Sequence, residues 1–271
     1  MFVLAASLYL SRSALTVSRY EVAVPGITET LRIVQLSDLH NSEFGKGNTR
    51  LIRKVREQNP DLILMTGDML NQTEQQTDIA ADLVKALSAV APVYYSYGNH
   101  EVYFEKHFGT DLRPLFTEAG AEVLEYNWVD VEIRGQALRI GGVYGYCLPI
   151  WAGSEAWEEE SIFLEAFQDT ARTKIFLSHM PICWIQSSSL DCWDVDLVFA
   201  GHAHGGQIRF PWIGGLYAPD QGWFPGKCAG LYESKDSLSC LVLSRGLGTS
   251  GKLPRLNNIP EIVVVDVIPA S

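Results

Sequence analysis

Histidine, aspartate and asparagine residues recur in five short segments, and each segment follows an apolar run. The segments are Asp38-Leu39-His40, Gly67-Asp68, Gly98-Asn99-His100-Glu101, His179 and Gly201-His202-Ala203-His204. Five of the six histidines of the chain lie in these segments, and only His107 lies outside them. A lone histidine on a strand is usually a core residue, whereas this concentration indicates a metal site. Imidazole, carboxylate and amide groups without a thiolate favour Mn, Fe or Zn over Ca.

Such a ligand set is suited to hydrolysis at phosphorus. Two ions about 3.5–4 Å apart can clamp the attacking and the leaving oxygen, and they lower the pKa of bound water towards about 7. Building the pair requires a bridging carboxylate, histidines that fix the geometry, and open positions for water. Two divalent ions also outweigh the charge of two aspartates, so the site attracts a phosphate although the chain has a net charge of −11.

Together the five segments resemble the signature of the calcineurin-like metallophosphoesterases, which reads D-x-H, G-D, G-N-H-E, H and G-H-x-H. The resemblance covers residues 30–268. It implies two divalent ions, one held by Asp38, His40, Asp68 and His204, the other by Asp68, Asn99, His179 and His202, with Asp68 as the bridge. It also implies that His100 is catalytic and either protonates the leaving group or stabilises charge on it. The alternative is that His100 only orients Asn99.

The second segment departs from the protein Ser/Thr phosphatases of this superfamily, which extend it as G-D-x-x-D-R-G. Asn71 and Gln72 stand here in place of the acidic residue and the arginine. A bidentate guanidinium matches two oxygens of a phosphomonoester dianion. Its absence favours a phosphodiester or a pyrophosphate as substrate, unless Arg209 or Arg245 folds into the site and replaces it.

The last third of the chain carries a narrower resemblance, to the bacterial membrane-associated branch of the family. The matching segments are 205–209, 215–219, 230–232, 244–250 and 260–262. The resemblance implies an N-terminal membrane segment and an envelope phosphodiester or lipid-linked pyrophosphate as substrate. Aromatic residues crowd the neighbouring segments, either as ordinary packing or as an apolar rim for a lipid, a nucleobase or a membrane. They are Trp151, Trp157, Trp184, Trp193, Trp212, Trp223 and Phe224.

The elements that must position the ligands follow from the apolar pattern. Strands are predicted at 31–37, 62–66 and 93–97, with helices at 48–58 and 78–90 between them. This alternation is typical of a parallel sheet with helical crossovers. Ligands of such sheets lie at the carboxyl ends of the strands, where the first three segments fall.

The second half contains more strand. A meander is predicted at 122–126, 129–133 and 138–143, a helix at 155–169, and short buried strands at 174–178 and 197–200. Strands at 207–210, 229–233, 238–244 and 262–267 are predicted to complete a second sheet. With the family resemblance, this order implies an α/β fold in which two facing mixed β-sheets are flanked by helices, a four-layer α/β/β/α sandwich.

The N-terminal segment, 1–20, is predicted to lie outside the metallophosphoesterase domain at 30–268. Its apolar run, 2–10, is shorter than the roughly 20 residues that span a bilayer. The run is therefore a shortened membrane anchor, an interfacial segment or a helix packed on the domain. Arg12 and Arg19 follow it, which favours a cytoplasmic domain, peripheral to the membrane if the run inserts.

The cysteines indicate the redox compartment of the protein, and the net charge restricts the class of partner. Five cysteines without a C-x-x-C motif indicate reduced thiols and a reducing compartment, with a Cys183–Cys192 bridge as the alternative. The acidic net charge and the lack of Lys/Arg clusters disfavour a nucleic-acid partner.

These observations predict a binuclear metal-dependent phosphoesterase that acts on a diester or a pyrophosphate, at or near a membrane. A soluble nucleotide phosphodiesterase is the first alternative. A non-catalytic scaffold of the same fold is the second, but all seven ligand positions are filled, which disfavours it.

Overall fold

The computed structural model describes residues 2–143, 156–186, 189–236, 238–249 and 253–270. The helices are α1 (Phe2–Ser13), α2 (Thr49–Arg56), α3 (Asp78–Ser88), α4 (Asn99–Phe108), α5 (Arg113–Glu118), α6 (Ala156–Gln168) and α7 (Ile182–Gln186). The strands are β1 (Thr16–Val24), β2 (Leu31–Leu36), β3 (Leu62–Thr66), β4 (Val93–Ser96), β5 (Ala121–Val123), β6 (Asn127–Ile133), β7 (Gln136–Val143), β8 (Thr173–Ser178), β9 (Leu197–Ala200), β10 (Arg209–Phe210), β11 (Gly214–Gly215), β12 (Tyr217–Ala218), β13 (Gly222–Trp223), β14 (Gly230–Glu233), β15 (Cys240–Leu243) and β16 (Glu261–Pro269).

Two six-stranded sheets form the centre of the fold. The strand order is β1-β16-β2-β3-β4-β5 in the first sheet and β14-β15-β9-β8-β7-β6 in the second. Strands β2 to β5 are parallel, as are β7, β8, β9 and β15. Strands of a parallel sheet are covered on both faces, which explains their continuous apolar sequences. Two small hairpins, β10–β11 and β12–β13, lie outside both sheets.

Three apolar clusters show how the layers stack. One cluster joins Ile33 and Leu64 of the first sheet to Ile175 and Phe199 of the second, so the two sheets face each other. A second lies between the outer face of the first sheet and helices α2 to α5. A third lies between the outer face of the second sheet and helices α6 and α7. The predicted four-layer α/β/β/α sandwich is therefore confirmed.

Three strand placements differ from the sequence prediction. The strand predicted at 262–267 is β16, which lies in the first sheet between β1 and β2. The strand predicted at 122–126 is β5, the edge of the first sheet, and not part of a meander with β6 and β7. At 207–210 only β10 forms, in a hairpin with β11. An apolar run identifies a buried strand, but it does not show which of two facing sheets takes it.

The N-terminal run forms α1, and polar side chains of this helix contact the protein. Ser7 Oγ accepts a hydrogen bond of 2.9 Å from the Asn257 amide, and the buried Ser11 Oγ accepts one of 3.2 Å from Asn258. Tyr9 remains exposed on the helix. No helix in the described ranges is long and apolar enough to cross a bilayer.

Strand β1 was not predicted from the sequence. It pairs in parallel with the last strand, from Thr16 with Glu261 to Val24 with Pro269. Polar Ser18, Arg19 and Glu21 interrupt its apolar pattern, because most of the strand is only partly buried. The first sheet is therefore built from both ends of the chain.

The described cysteine side chains are thiols. Cys228 and Cys240 are buried and Cys192 is exposed, and all three are free. A bridge from Cys192 to Cys183 is therefore not formed. Cys147 and the side chain of Cys183 lie outside the described part of the chain.

Candidate metal centre

The five segments meet where the carboxyl ends of five strands adjoin. Asp38 and His40 follow β2, Asp68 follows β3, and Asn99 opens α4 after β4. On the second sheet, His179 follows β8, and the segment that contains His202 and His204 follows β9. Because β2 to β4 are parallel neighbours and β8 and β9 are another parallel pair, all the predicted ligands reach one edge of the sandwich.

The backbone at this edge is strained. Five of the eight predicted site residues have positive φ angles between 47° and 64°: Asp38, His40, Asp68, His202 and His204. A non-glycine residue in this left-handed region costs about 1–2 kcal/mol. Such strain persists only where the surrounding structure enforces it, and it concentrates at functional sites.

One buried ligand group contains Asp38, His40 and His204. The Nε2 atoms of the two histidines are 3.3 Å apart, and His204 Nε2 is 3.5 Å from Asp38 Oδ1. Burial lowers the pKa of His40 to about 3, so its ring is neutral at physiological pH. Neutral imidazole is the form that binds a metal. These residues therefore fit the first predicted ion.

Asp68 lies at the centre of the cluster. Its Oδ2 atom is 3.2 Å from His179 Nε2 and 3.7 Å from His40 Nε2. It therefore contacts a member of each predicted ligand set, which is the position that a bridging carboxylate requires. His100 Nε2 also lies 3.9 Å from this oxygen.

His179 is oriented by the backbone. Its Nδ1 atom lies 2.7 Å from the Thr66 carbonyl oxygen and donates to it, which leaves Nε2 for the cluster. Burial alone would lower the pKa of His179, but the Asp68 carboxylate outweighs burial and raises the pKa to about 10. Metal binding at this nitrogen would therefore displace a proton.

The second predicted set also contains buried polar atoms without hydrogen bonds. Asn99 Oδ1 and His202 Nε2 make none with the residues that the structure describes. The 3.2 Å approach of Asp220 Oδ1 to His202 Nε2 does not have hydrogen-bond geometry. Leaving such atoms unpaired costs about 1–3 kcal/mol each. With Asp68 and His179, these atoms fit a second ion.

Glu101 holds the loops that carry the ligands. Its carboxylate accepts hydrogen bonds from the amides of Asp68, Met69 and Gly98, and from the Tyr95 hydroxyl, at 2.7–2.8 Å. The side chain is fully buried. Glu101 therefore ties the end of β3 to the start of α4.

Asp68 is packed so closely that Gly98 tolerates no side chain. A Cβ at Gly98 would overlap Asp68 Oδ1 and lie 2.6 Å from the Asp68 amide nitrogen. The φ angle of Gly98 is −108°, so lack of space and not backbone conformation requires glycine here.

We expect Gly98→Ala to displace the Asp68 carboxylate and weaken metal binding by about 10- to 100-fold, the range seen when the support of a metal ligand is removed. Calorimetric titration with Mn²⁺ measures the change. Gly226→Ala is the matched control, since a Cβ there meets none of the described atoms within 4 Å. Equal Mn²⁺ affinity in both variants would contradict the expectation.

His100 is held in one tautomer. The Gln72 amide lies 3.2 Å from His100 Nδ1 and donates to it, so in the neutral ring the proton is on Nε2. Nε2 points towards Asp68, inside the cluster. Asn71, in the position of the expected acidic partner, instead donates to the His40 carbonyl and to Glu74. His100 thus presents a hydrogen-bond donor to the site.

Two charged residues of the site were missed from the sequence. Asp220 lies beside His202, in the turn between β12 and β13. Arg255 is buried and donates to the carbonyls of Gly246 and Gly248, and the Gly248 amide in turn donates to the Asp38 carbonyl at 2.6 Å. Both residues lie in irregular segments without an apolar pattern, so no local signal marked them.

Two facing sheets with buried histidine and aspartate clusters at adjoining strand ends define a metal-dependent phosphoester hydrolase. Residues 31–206 match the model of the calcineurin-like phosphoesterases, and the chain belongs to that family. The family is dimetal-dependent, and the clusters described above supply candidate ligands for the ions. The predicted family and enzyme class are therefore confirmed.

Known bacterial proteins are similar to most of this chain. Phosphodiesterase YaeI of Escherichia coli is 28% identical over 249 residues, which cover 88% of this chain and 82% of YaeI. The uncharacterized metallophosphoesterase YkuE of Bacillus subtilis is 26% identical, covering 89% of this chain and 80% of YkuE. The crystal structure of TT1561 of Thermus thermophilus has the same fold, with a TM-score of 0.51 at 13% identity, covering 80% of this chain and 90% of TT1561.

Proposed function

We propose that the enzyme hydrolyses a phosphodiester or a pyrophosphate at a binuclear centre. Asp38, His40, Asp68 and His204 hold one ion, and Asp68, Asn99, His179 and His202 hold the other. When bound, the ions supply a water of lowered pKa and neutralise charge on the phosphate. Mn, Fe and Zn all suit this ligand set. The central position of Asp68 between the two histidine groups supports the assignment.

His100 acts on the substrate in this proposal. Its Nδ1 is occupied by the Gln72 amide, so the ring offers Nε2–H to an oxygen of the reacting phosphate or the leaving group. Because Nδ1 accepts this hydrogen bond, the only ring proton on nitrogen in this arrangement is the one on Nε2. The geometry therefore favours stabilisation of developing charge by a hydrogen bond over full proton donation.

We infer the substrate class from the positively charged side chains around the proposed metal centre. Gln72 replaces the arginine that a phosphomonoester dianion would use. The two alternative arginines are engaged elsewhere. Arg245 pairs with Glu261 at 2.9 Å, and Arg209 donates to the Gly205 carbonyl at 2.8 Å. A substrate with less charge on the reacting phosphorus suits such a site, and the relative YaeI is described as a phosphodiesterase.

Kinetics on a substrate panel test this proposal. We expect kcat/KM of the Mn²⁺-loaded enzyme to be higher for an aryl phosphodiester and a lipid-linked pyrophosphate than for an aryl monophosphate or a phosphoserine peptide. A preference for the monoesters would overturn the proposed substrate class. In that case, selective loss of monoester activity in Arg209→Ala or Arg245→Ala would identify the cation that replaces the missing arginine.

We also propose that the enzyme rests on the cytoplasmic face of a membrane, where it meets a lipid-linked substrate. The two hairpins carry an apolar hairpin surface made of Phe210, Trp212, Ile213, Trp223 and Phe224. Trp212 is fully exposed, and the other four are 42–65% exposed. Exposed aromatic groups of this kind suit the interface between water and lipid.

Helix α1 adjoins this surface. Asn257 links them, because its amide donates to Ser7 and its side chain donates to the Arg209 carbonyl. The exposed Tyr9 and Leu10 of α1 extend the apolar area. Among the other aromatic residues, Trp184 is buried in the core, and Trp151 and the side chain of Trp157 lie outside the described residues.

We expect Trp212→Ser combined with Ile213→Ser to weaken binding to phosphatidylglycerol vesicles by at least about tenfold, since burying each side chain is worth about 1.5–3 kcal/mol. Co-sedimentation measures the affinity. Ile162→Ser is the matched control, because Ile162 is 61% exposed on α6. Unchanged binding of the double variant, or no binding by the wild type, would exclude this surface as the membrane contact.

A further inference from the structure

Helix α4 extends the metal centre into a cavity. The helix begins at the predicted ligand Asn99, and Tyr103 and Lys106 follow at intervals of four and three residues. Residues at such spacings share one face of a helix. All three line a cavity of about 460 Å³ together with His202. The cavity therefore opens directly from the second predicted ligand set.

The rest of the cavity wall is mostly apolar. Val102, Met180 and Pro219 line it, and Tyr103 is 53% exposed beside them. A cavity of this kind suits an organic group, with a few polar groups to fix its orientation. The ring of Tyr103 offers a flat surface against which such a group can pack.

Lys106 brings a positive charge to the lining of this cavity. It makes no ion pair with the residues that the structure describes, and it also lines a second cavity of about 390 Å³ beside Gln72. Side chains of a helix lean towards its N-terminus, so Lys106 leans back towards Asn99. Its Cα lies about 10 Å along the helix from that residue, a gap that the long side chain shortens.

Asp220 adds a negative charge to the lining of the cavity. Its carboxylate lines the same cavity 3.2 Å from His202 Nε2, and Asp220 Oδ2 is buried without a hydrogen bond. A second negative group of the substrate is repelled from this wall and attracted to Lys106. The cavity lining thus contains one anionic and one cationic side chain.

We propose that Tyr103 and Lys106 select substrates with two linked phosphoryl groups, in which Lys106 binds the phosphoryl group that is not attacked and Tyr103 packs on the attached organic group. The inference rests on the proposed function, chooses the pyrophosphate over the simple diester, and names the residues that make this choice. Lys106 acts here as a specificity-determining residue that touches the substrate.

Kinetics of Lys106→Ala test the proposal, with UDP-glucose as the diphosphate and bis(4-nitrophenyl) phosphate as the simple diester. We expect KM for UDP-glucose to rise by about tenfold or more, because one charge-assisted hydrogen bond is lost. KM for the simple diester should change by less than about twofold. Lys106→Arg should restore the wild-type KM for UDP-glucose. Lys85→Ala, an exposed lysine on α3, is the matched control. Equal changes for both substrates would overturn the proposal.

Calorimetric binding separates this proposal from the proposed function. With Mn²⁺-loaded protein, we expect Lys106→Ala to weaken UDP by about tenfold and UMP by less than about twofold, because only UDP has the second phosphoryl group. The difference between UDP and UMP binding does not depend on whether the enzyme hydrolyses diesters faster than monoesters. If Lys106→Ala weakens UDP and UMP equally, Lys106 does not recognise a second phosphoryl group, and the inference is wrong.

Discussion

Asp68→Asn is expected to remove nearly all activity and to lower the affinity for both ions at once. The carboxylate lies between the two histidine groups, so each ion of the proposed centre would lose a shared negative ligand. Removing a residue that merely supports a metal ligand lowers metal affinity or activity by about 10- to 100-fold, and removing a bridging ligand should have a larger effect. We therefore expect kcat/KM to fall by more than about 100-fold. Metal analysis after dialysis and single-turnover kinetics measure the two effects.

Asp82→Asn is a suitable control, because Asp82 is an exposed carboxylate on α3. It should retain both ions and full activity. The outcome that decides against a binuclear centre is an Asp68→Asn variant with two bound ions and wild-type turnover. Loss of only one ion would show that Asp68 is a terminal ligand and not a bridge.

His100→Asn is expected to retain both ions but to slow hydrolysis by about 100- to 1,000-fold, the usual effect of removing one donor from a preorganised charge-stabilising site. Its Nε2–H points into the cluster 3.9 Å from Asp68 Oδ2, while the Gln72 amide occupies Nδ1. The loss should be greatest for substrates with poor leaving groups, because these develop the most charge on oxygen. A series of aryl diesters with graded leaving groups measures this dependence.

Two results would contradict this role. An equal loss across the leaving-group series would indicate that His100 only positions the neighbouring Asn99. Loss of an ion from the variant would make His100 a metal ligand, since it also lies within ligand distance of His40 and Asp68. His100→Gln, with a longer amide side chain, should recover part of the rate only if hydrogen-bond donation is the function.

The candidate site was predictable because the predicted ligands lie close to the ends of strands. Asp38, Asp68 and His179 each lie within two residues of the end of a short buried strand. In a parallel sheet, strand direction alone then brings such residues to the same edge. The fold class followed from the same pattern together with the family resemblance.

The remaining features depend on contacts between distant parts of the chain. Asp220 reaches His202 only because the β12–β13 hairpin folds against the end of β9, and a two-residue strand leaves little pattern in a sequence. Helix α4 was not predicted, so the alignment of Tyr103 and Lys106 with Asn99 was missed as well. The choice of sheet for β16 depends on its partners, which lie at the opposite end of the chain.

The position of β16 has a consequence for biosynthesis. Strand β16 inserts between β1 and β2, which both lie far before it in the sequence. Until β16 has been synthesised, the edges by which these two strands pair with it are unpaired and prone to aggregation, although β2 can already pair with β3 on its other side. Pairing over such a long sequence separation also carries a large loop-closure entropy, which slows folding. We therefore expect the yield of folded protein to depend on chaperones that shield nascent chains, and the insertion of β16 to be the slow step of refolding.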